Sequence, residues 1–376
     1  MTHSPLGAPV KKYRVGVIGS TGRGDYGHGL DEVWRDVPSA EVVAVADDNK
    51  MGLAAATKKL GVPAGYADYR KMLDEAKPEI VAIGLRWLDR HQEMIVAAAE
   101  RGIHIFVEKP LCRTPAEADA IVAACERTHA KLVIAYQSRY SPKLAVVRQL
   151  IADGKIGGVL EYRGRGKEDA RGGAEDLWVL GSHIVDLIRA LSGDATSCFA
   201  SVAAGGKPIT KADVVDGNEG LGPLAGDSIA AMYTMADGTR AYFASQRNAA
   251  GRPSRFGVQI FGTHGIIDMA TNYLPNVKLL PDAGWSPGRT KRTWQDVSSA
   301  GLGKPEPIKQ GHPHWGNVAA AKDLIASIEE NRQPAASVYN ARAAVEMVLA
   351  VFASARQGTA VALPLKNRQH PLDGWT

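Results

Sequence analysis

The chain has 376 residues, of which 45% are hydrophobic and 23% charged, and this balance excludes an intrinsically disordered protein. Its formal net charge of +5 is small for the length, so the composition gives no reason to expect a nucleic acid or a membrane surface as partner. The length favours two domains over one.

The three cysteines, Cys112, Cys125 and Cys198, include no Cys-x-x-Cys pair. Their spacing argues against a disulfide scaffold and a thiolate zinc site and favours a reducing compartment. The first residues lack an apolar core of signal-peptide length, and no stretch approaches the roughly 18 apolar residues of a membrane span. We therefore expect a cytoplasmic protein.

The first third of the chain alternates short apolar runs with helical patterns. The runs are rich in valine and isoleucine and are continuous, which is typical of parallel strands covered by helices on both faces. They lie at residues 13–19, 41–47, 79–84, 103–108 and 131–136. Five strands with their crossovers predict a doubly wound, parallel α/β domain of the Rossmann type over residues 11–136.

The rest of the chain, residues 137–376, has a different pattern. A helix is predicted at 142–153, a longer one at 176–192, and two more at 317–331 and 341–357, which are expected to pack back on the first domain. Short strands separated by turns are predicted at 158–166, 196–204, 227–235, 239–247, 255–261 and 265–269. This pattern predicts an α+β domain with a large, mostly antiparallel sheet.

Several helix ends carry capping residues. Asp89, with glutamine three residues later, has the spacing of a capping box, and so has Thr114, which is followed by Pro115 at the first helical position and then by glutamate. Asn340 and Gly358 are placed to cap the start and the end of the last helix.

A glycine-rich segment, VGVIGSTGRGDYGHG, follows the first strand and is expected to open the first helix. Gly19 and Gly24 hold the outer positions of the pattern Gly-x-Gly-x-x-Gly, but Thr21 stands at the middle one. Asp47 ends the second strand, where a carboxylate bonds a ribose diol and repels a 2′-phosphate, so NAD is favoured over NADP. The candidate cofactor ligands here are Gly19, Ser20, Thr21, Gly22, Arg23, Gly24 and Asp47. A glycine-rich turn without a ligand is the alternative.

The predicted strand at 103–108 ends in a carboxylate and an amine, Glu108 and Lys109, followed by Pro110. The proline cannot donate to a sheet and holds Lys109 in an extended or turn conformation. Because ligands of open α/β sheets bind at the carboxyl ends of the strands, this position indicates a site. A solvated ion pair at a strand end is the alternative.

These motifs resemble those of the Gfo/Idh/MocA family of nicotinamide-dependent oxidoreductases, and the resemblance covers nearly the whole chain. Besides the Rossmann pattern, it rests on residues 107–118, 137–159, 180–188 and 261–269. The resemblance implies that the second domain binds substrate and mediates oligomerisation. It also implies a homodimer or homotetramer in which a partner subunit covers the open face of the sheet.

The resemblance assigns roles to individual residues. It implies that Lys109 reaches the substrate hydroxyl beside the nicotinamide and that Glu108 lies next to it at the cofactor. A positive nicotinamide nearby is expected to lower the pKa of Lys109, which suits proton transfer. Trp87 and His91 follow the third predicted strand at the same sheet edge and are candidate cofactor ligands, since the family often has a histidine near position 91. A residue at a helix start is the alternative for His91.

The helix predicted at 176–192 carries a polar stripe beside an apolar one, formed by Asp176, Val179, His183 and Asp186. A histidine flanked by two acids indicates a site. The resemblance implies an aspartate at position 179, which would set the imidazole tautomer and raise its basicity. We expect Asp176 or Asp186 to replace it. Alternatively His183 no longer acts as a base, or it is a structural histidine.

Candidate substrate contacts lie in several other places. Tyr136 and Arg139 fall at the junction between the domains, where a cleft is expected. Arg163, Arg165 and Lys167 alternate along one strand and predict a basic wall that faces a sugar or an anionic substrate, with a solvated face as the alternative. Nucleic acid is disfavoured because no aromatic residues are interleaved with these cations.

Four aromatic or imidazole side chains complete the candidates. Trp178 and Trp315 are possible stacking surfaces for a sugar ring, with core packing as the alternative. His312 and His314 are one residue apart, but no third ligand of matching kind is evident, so no metal is predicted and a loop that lines the cleft is preferred.

Three functions are compatible with these residues. The first is an NAD-dependent dehydrogenase of a sugar, polyol or derivative, in which Lys109 and His183 bind the reacting hydroxyl and one of them removes its proton, with Asp176 as a further catalytic candidate. The second is an NAD-dependent glycoside hydrolase or lyase that oxidises a ring carbon transiently and keeps its cofactor. The third is a binding or regulatory protein without chemistry, which the intact Lys109 and His183 disfavour.

Overall fold

The computed structural model describes residues 11–375. In the first domain, six parallel strands form one sheet in the order β3-β2-β1-β4-β5-β6. The strands are β1 Tyr13–Ile18, β2 Ala40–Ala46, β3 Ala64–Tyr66, β4 Ile80–Ile83, β5 His104–Val107 and β6 Leu132–Ile134, and the helices are α1 Lys50–Leu60, α2 Tyr69–Ala76, α3 His91–Ala99 and α4 Pro115–Thr128. The predicted doubly wound sheet is confirmed, with β3 as an additional edge strand. Its three residues, Ala-Gly-Tyr, form no apolar run that the sequence analysis could detect.

The second domain is built on a large mixed sheet, in the order β18-β17-β16-β15-β14-β7-β13-β12-β8-β19, with β9 paired to β8. Its strands are β7 Val159–Arg165, β8 Ala195–Ala204, β9 Lys207–Pro208, β12 Ser228–Met235, β13 Arg240–Gln246, β14 Gly257–Gly262, β15 Gly265–Ala270, β16 Val277–Leu280, β17 Gln295–Ser298, β18 Gly301–Leu302 and β19 Val361–Ala362. All described strand pairs in it are antiparallel except β7 with β13. The predicted α+β class is therefore confirmed.

Helices and one separate hairpin complete the second domain. The hairpin pairs β10 Val215–Gly217 with β11 Gly222–Leu224. The helices are α5 Pro142–Ala152, α6 Ala174–Val179, α7 Gly181–Ser192, α8 Pro287–Thr290, α9 His314–Glu329 and α10 Val338–Gln357.

The glycine-rich segment does not open an α-helix, contrary to the prediction. Residues 21–32 form a series of turns, followed by one 3₁₀ turn at Val33–Asp36. Four glycines of this segment have positive φ, among them Gly22 at 87° and Gly27 at 61°. Backbone in that region cannot continue a right-handed helix, so the segment folds as a compact loop.

The single helix predicted at 176–192 is two helices, α6 and α7, with Leu180 between them. In a continuous helix the carbonyl of Val179 would accept the N–H of His183. Here the N–H of His183 donates to Leu180 instead, at 3.0 Å. Gly181 packs so closely that a Cβ there would lie 2.8 Å from the ring of Phe243. The break leaves the Val179 carbonyl free for another donor.

The predicted caps have mixed outcomes. Thr114 accepts the N–H of Glu117 at 3.1 Å and Gly358 ends α10 in the left-handed conformation, as predicted. Asp89 caps no helix, because its carboxylate accepts a hydrogen bond from Arg23 and α3 begins two residues later. Asn340 lies inside α10, whose first residue is Val338.

The last two long helices lie against both domains. α9 packs on β6 and on the 3₁₀ turn at Val33–Asp36, and α10 packs on α4, β6 and β8. Within residues 11–375, α10 is the one helix long and apolar enough to cross a membrane by length and composition. Most of it is buried in the protein interior, as core helices of folded domains are.

Candidate functional site

Lys109 lies where β5 ends, as the parallel sheet requires, and its side chain crosses to the second domain. Its Nζ donates to the carbonyl of Val179 at 2.9 Å, the group that the break between α6 and α7 exposes. Only 4% of Lys109 is exposed. Burial lowers the pKa of this amine, opposed by the charges of Glu108 and Glu219. The lysine is therefore fixed in the cleft between the domains.

Glu108 is fully buried below the glycine-rich segment. Its Oε1 accepts two hydrogen bonds from His28, from the backbone N–H and from ring Nδ1, each at 2.7 Å. Its Oε2 accepts the N–H of Lys109 at 3.0 Å. Burial alone would raise the pKa of Glu108, but the hydrogen bonds and charge of His28, with the charge of Lys109, outweigh it and lower the pKa to about 2.

His28 is a site residue that the sequence analysis does not single out. It lies 80 residues before its carboxylate partner, so no local spacing connects the two. One signal was available, since the segment continues beyond the Rossmann pattern as Asp-Tyr-Gly-His-Gly and places a histidine between two glycines.

His183 faces the same cleft from α7. Its ring lies edge-on to Tyr136, with centroids 5.7 Å apart. Burial, followed by the positive charges of Lys109 and His28, lowers the pKa of His183 to about 3. Among residues 11–375 no carboxylate lies within hydrogen-bonding distance of this ring. His183 is thus a neutral imidazole in the physiological range.

Neither acid of the predicted polar stripe bonds His183, because each carboxylate binds other donors of the fold. Asp176 is fully buried and accepts hydrogen bonds from Ser245 Oγ at 2.5 Å and from the N–H of Glu168 at 3.0 Å. Asp186 forms a bidentate ion pair with Arg139. Both carboxylates therefore stabilise the second domain and are unavailable to orient the imidazole.

Arg139 and Tyr136 lie behind His183. The guanidinium of Arg139 binds Asp186, with a shortest distance of 2.7 Å, and neither side chain is more than 9% exposed. Tyr136 is buried, and burial raises the pKa of its hydroxyl. Within residues 11–375, that hydroxyl and the hydroxyl of Ser182 are buried without a hydrogen-bond partner. Tyr136 therefore packs against the ring of His183, and the Arg139–Asp186 pair fixes the helix that carries it.

Asp47 is held by the glycine-rich segment. Its carboxylate accepts hydrogen bonds from Thr21 Oγ1 at 2.7 Å, Tyr26 OH at 2.9 Å and the N–H of Asn49 at 2.9 Å. The ring of Tyr26 covers Gly19 so closely that a Cβ there would lie 2.3 Å from it. A ribose diol would therefore have to replace the two hydroxyls on this carboxylate.

A cavity of about 260 Å³ opens beside Asp47, at the carboxyl ends of β1 and β2. Its walls include Gly19, Asp48, Tyr69 and Arg90. Position, size and lining fit the adenosine half of a dinucleotide, since such ligands bind at this edge of a doubly wound sheet. The residues present therefore fit the cofactor that the sequence predicts.

The other predicted cofactor ligands lie along the same edge. Arg23 donates to Asp89 at 2.7 Å and lies over the ring of Trp87. His91 is fully buried, with Nε2 2.8 Å from the carbonyl of Leu85 and Nδ1 3.0 Å from that of Pro110. It links the loops that follow β4 and β5, which makes it a residue that positions the sheet edge.

The hairpin β10–β11 spans the cleft. Asn218 at its tip donates to Glu175 of α6 at 3.0 Å, and Glu219 pairs with Arg86, in the loop after β4, at 3.3 Å. The tip therefore connects the two domains beside Lys109, whose pKa the charge of Glu219 raises.

Four predicted substrate contacts lie apart from this cluster. Arg163 pairs with Glu161 and lies over the ring of Phe261 on the sheet face, and Lys167 is exposed. Trp178 is fully buried. His314 begins α9 and binds Asp36 at 2.7 Å, on the rim of the first domain.

Two family models match the chain and together cover about two thirds of it. Residues 13–136 match the oxidoreductase family with the NAD-binding Rossmann fold, and residues 144–268 match the Gfo/Idh/MocA C-terminal domain. The chain belongs to the Gfo/Idh/MocA family of oxidoreductases. The resemblance drawn from the motifs is confirmed, and the first domain is the NAD(P)-binding domain of this family.

Similar proteins include two sugar dehydrogenases. The D-apiose dehydrogenase of Paraburkholderia graminis is 25% identical over 96% of this chain and 92% of its own length. The levoglucosan dehydrogenase of Pseudarthrobacter phenanthrenivorans is 29% identical over 59% of this chain and 63% of its own length. A solved levoglucosan dehydrogenase in complex with NADH and L-sorbose superposes with a TM-score of 0.76, at 22% identity, over 94% of this chain and 100% of that one. This last likeness is one of fold.

Proposed function

We propose that the protein is an NAD-dependent dehydrogenase that oxidises a CH–OH group of a sugar, a polyol or a derivative of one. The observation that carries the proposal is the meeting of Lys109 and His183 in the cleft at the carboxyl edge of the Rossmann sheet. The named substrates of the similar dehydrogenases, D-apiose and levoglucosan, support this substrate class.

In this proposal Lys109 and His183 make different hydrogen bonds to the reacting hydroxyl. An ammonium has three donors, and Lys109 uses one on Val179, so it has donors left for the hydroxyl oxygen. The neutral imidazole of His183 makes a second hydrogen bond to the substrate, and the buried Arg139–Asp186 pair supports it from behind. Bound NAD supplies the hydride acceptor. The protein contributes placement, exclusion of water and transfer of the hydroxyl proton.

We propose that NAD binds in the cavity beside β1 and β2 and that Asp47 makes this site selective for NAD over NADP. Wild-type protein is expected to bind NADH at least about tenfold more tightly than NADPH, because a carboxylate repels a 2′-phosphate. Asp47→Ser should bring the two dissociation constants together. Calorimetric titration of both nucleotides measures the ratio, and Asp153→Ser, at an exposed acid after α5, is the control. Equal wild-type affinities would contradict the selectivity.

A panel of sugars and polyols, read at the NADH absorbance band, then tests the reaction itself. Accumulation of NADH with one of them is the expected result. Cofactor that copurifies with the protein, together with sugar cleavage that leaves no NADH, would instead favour the glycoside hydrolase or lyase. Failure to bind either nucleotide would remove both enzymes from consideration.

We further propose that the protein is a homodimer or homotetramer joined through its large sheet. On one face of the large sheet, five side chains lie side by side on neighbouring strands. They are Phe199, Met232, Tyr242, Arg163 and Gln259. Phe199 is 47% exposed in the isolated chain. Light scattering is expected to give a multiple of the 40.0 kDa chain mass, and Phe199→Asp should shift it toward one chain. A wild-type monomer would refute the proposal.

A further inference from the structure

His28 and Glu108 form a carboxylate–imidazole pair at the carboxyl edge of the Rossmann sheet. The ring Nδ1 and the backbone N–H of His28 both lie 2.7 Å from the same carboxylate oxygen. The other oxygen is occupied by the N–H of Lys109. Two bonds from one residue to one buried oxygen fix both the backbone and the ring of that residue.

The surrounding residues are arranged to allow this close approach. Gly27 has no side chain, and a Cβ there would lie 2.4 Å from the carbonyl of Gly84 and 2.5 Å from Cγ of Glu108. The carbonyl of His28 accepts Nδ2 of Asn317 from α9 at 3.1 Å. The imidazole is therefore positioned by β4, β5 and α9 together.

The charge of Glu108 sets the tautomer of His28. Because the hydrogen bonds and charges around Glu108 keep its pKa at about 2, this carboxylate is ionised at neutral pH and accepts a hydrogen bond from Nδ1–H of His28. Nε2 is then the acceptor nitrogen of the neutral ring. Within residues 11–375 no protein group bonds Nε2, and 46% of the side chain is exposed.

The charge of His28 acts on two residues that neighbour Lys109, namely Glu108 and His183. The charges of Lys109 and of His28 both lower the pKa of His183, so both side chains lie within electrostatic range of that imidazole. Glu108 at the end of β5 and His183 on α7 are thus ionisable groups that interact with His28, and Lys109 is bonded to Glu108 through its backbone N–H. Of the two imidazoles, His28 alone has a carboxylate partner.

We propose that His28 is the catalytic base of this enzyme and that Glu108 is its positioning residue. The pair takes over the role of the aspartate that the family resemblance implies at position 179, where this chain has valine. A carboxylate on Nδ1 orients an imidazole and stabilises the imidazolium, whichever element supplies it. The inference rests on the proposed dehydrogenase function.

The proton balance is simple. As the substrate is oxidised, its C–H bond yields its electron pair as hydride to the nicotinamide and its O–H proton binds Nε2 of His28, which leaves a carbonyl. Lys109 and His183 keep the oxygen in place during this step. The half-exposed imidazolium then returns its proton to water, whereas Lys109 is almost fully buried. In the reverse direction His28 donates the proton.

The first test needs no substrate. Nitrogen-15 spectra of histidine-labelled full-length protein, recorded with and without saturating NADH, identify His28 by its loss in His28→Gln. We expect the neutral tautomer with hydrogen on Nδ1, and a mixture of tautomers in Glu108→Gln. Hydrogen on Nε2 of the neutral His28 ring would overturn the inference.

The second test measures hydride transfer in a single turnover, with NAD and the sugar that the panel identifies. His28→Ala should slow the step by about 10³-fold, within the range of general-base catalysis, and added imidazole should restore at least about tenfold. NADH affinity should change less than about threefold. His264→Ala, at an exposed histidine that bonds Thr263, is the control.

The remaining outcomes separate the two proposals. A normal rate in His28→Ala, or a loss confined to NADH affinity, would overturn the inference and leave the dehydrogenase intact. If wild-type protein transfers no hydride to any sugar, the proposed function fails. In that case the tautomer measurement still decides whether the His28–Glu108 pair exists as described.

Discussion

Replacing Lys109 with methionine is expected to lower kcat/KM for the proposed sugar or polyol substrate by about 10³-fold, since a positioned donor at the reacting oxygen contributes roughly that much. Methionine keeps the length and apolar stem of the side chain, so the loss reports the amine, which bonds Val179 and, in the proposed mechanism, the substrate hydroxyl. Stopped-flow measurement of NADH formation gives the rate. The dissociation constant of NADH should stay within about threefold of wild type.

Two variants define the specificity of this effect. Lys109→Arg should not restore the rate, because a planar guanidinium cannot occupy the compact ammonium position against the Val179 carbonyl. Lys143→Met changes another buried lysine, which pairs with Glu306 at 3.4 Å in the second domain, and should leave the rate near wild type. Full activity in Lys109→Met would remove this lysine from the mechanism.

Replacing Arg139 with alanine is expected to lower the free energy of unfolding by about 3–5 kcal/mol, because it leaves the charge of Asp186 buried without a partner. The ion pair also holds α7 against the loop after β6, so His183 should lose its fixed position and activity should fall. Denaturant titration measures the stability, and the kinetic assay measures the activity at a temperature where the variant is folded.

The double variant Arg139→Met/Asp186→Leu tests the cause. Removing both charges should recover most of the lost stability, since an apolar pair carries no desolvation cost. Arg127→Ala is the matched surface control, because its pair with Glu100 is more than half exposed and should contribute no more than about 1 kcal/mol. If Arg139→Ala lowers the free energy of unfolding as little as Arg127→Ala does, the buried ion pair does not stabilise the fold.

The prediction that Arg139 contacts substrate rests on its place at the domain junction, and the structure gives this guanidinium a different partner. Sequence position indicated the right neighbourhood, since Arg139 and Tyr136 do lie behind the cleft. Whether a side chain faces substrate or protein depends on which charge it meets across the fold. Asp186 lies 47 residues further along the chain.

The sequence by itself determined the architecture of this protein. Continuous valine and isoleucine runs separated by helical patterns are consequences of strands buried on both faces, so they specify a parallel sheet without reference to distant residues. The place of Lys109 follows in the same way, because a strand that ends in Glu-Lys-Pro puts its lysine at the carboxyl edge of the sheet. Local chemistry is sufficient for such features.

Only the tertiary structure decided which partners the polar groups of the site bond. The break at Leu180 depends on packing against Phe243, and it gives the Val179 carbonyl to Lys109, 70 residues away. Asp176 accepts a hydrogen bond from Ser245, 69 residues away, although helical periodicity predicted that it lies beside His183. A carboxylate bonds whichever donor the completed fold brings within about 3 Å, and periodicity along one helix does not contain that information.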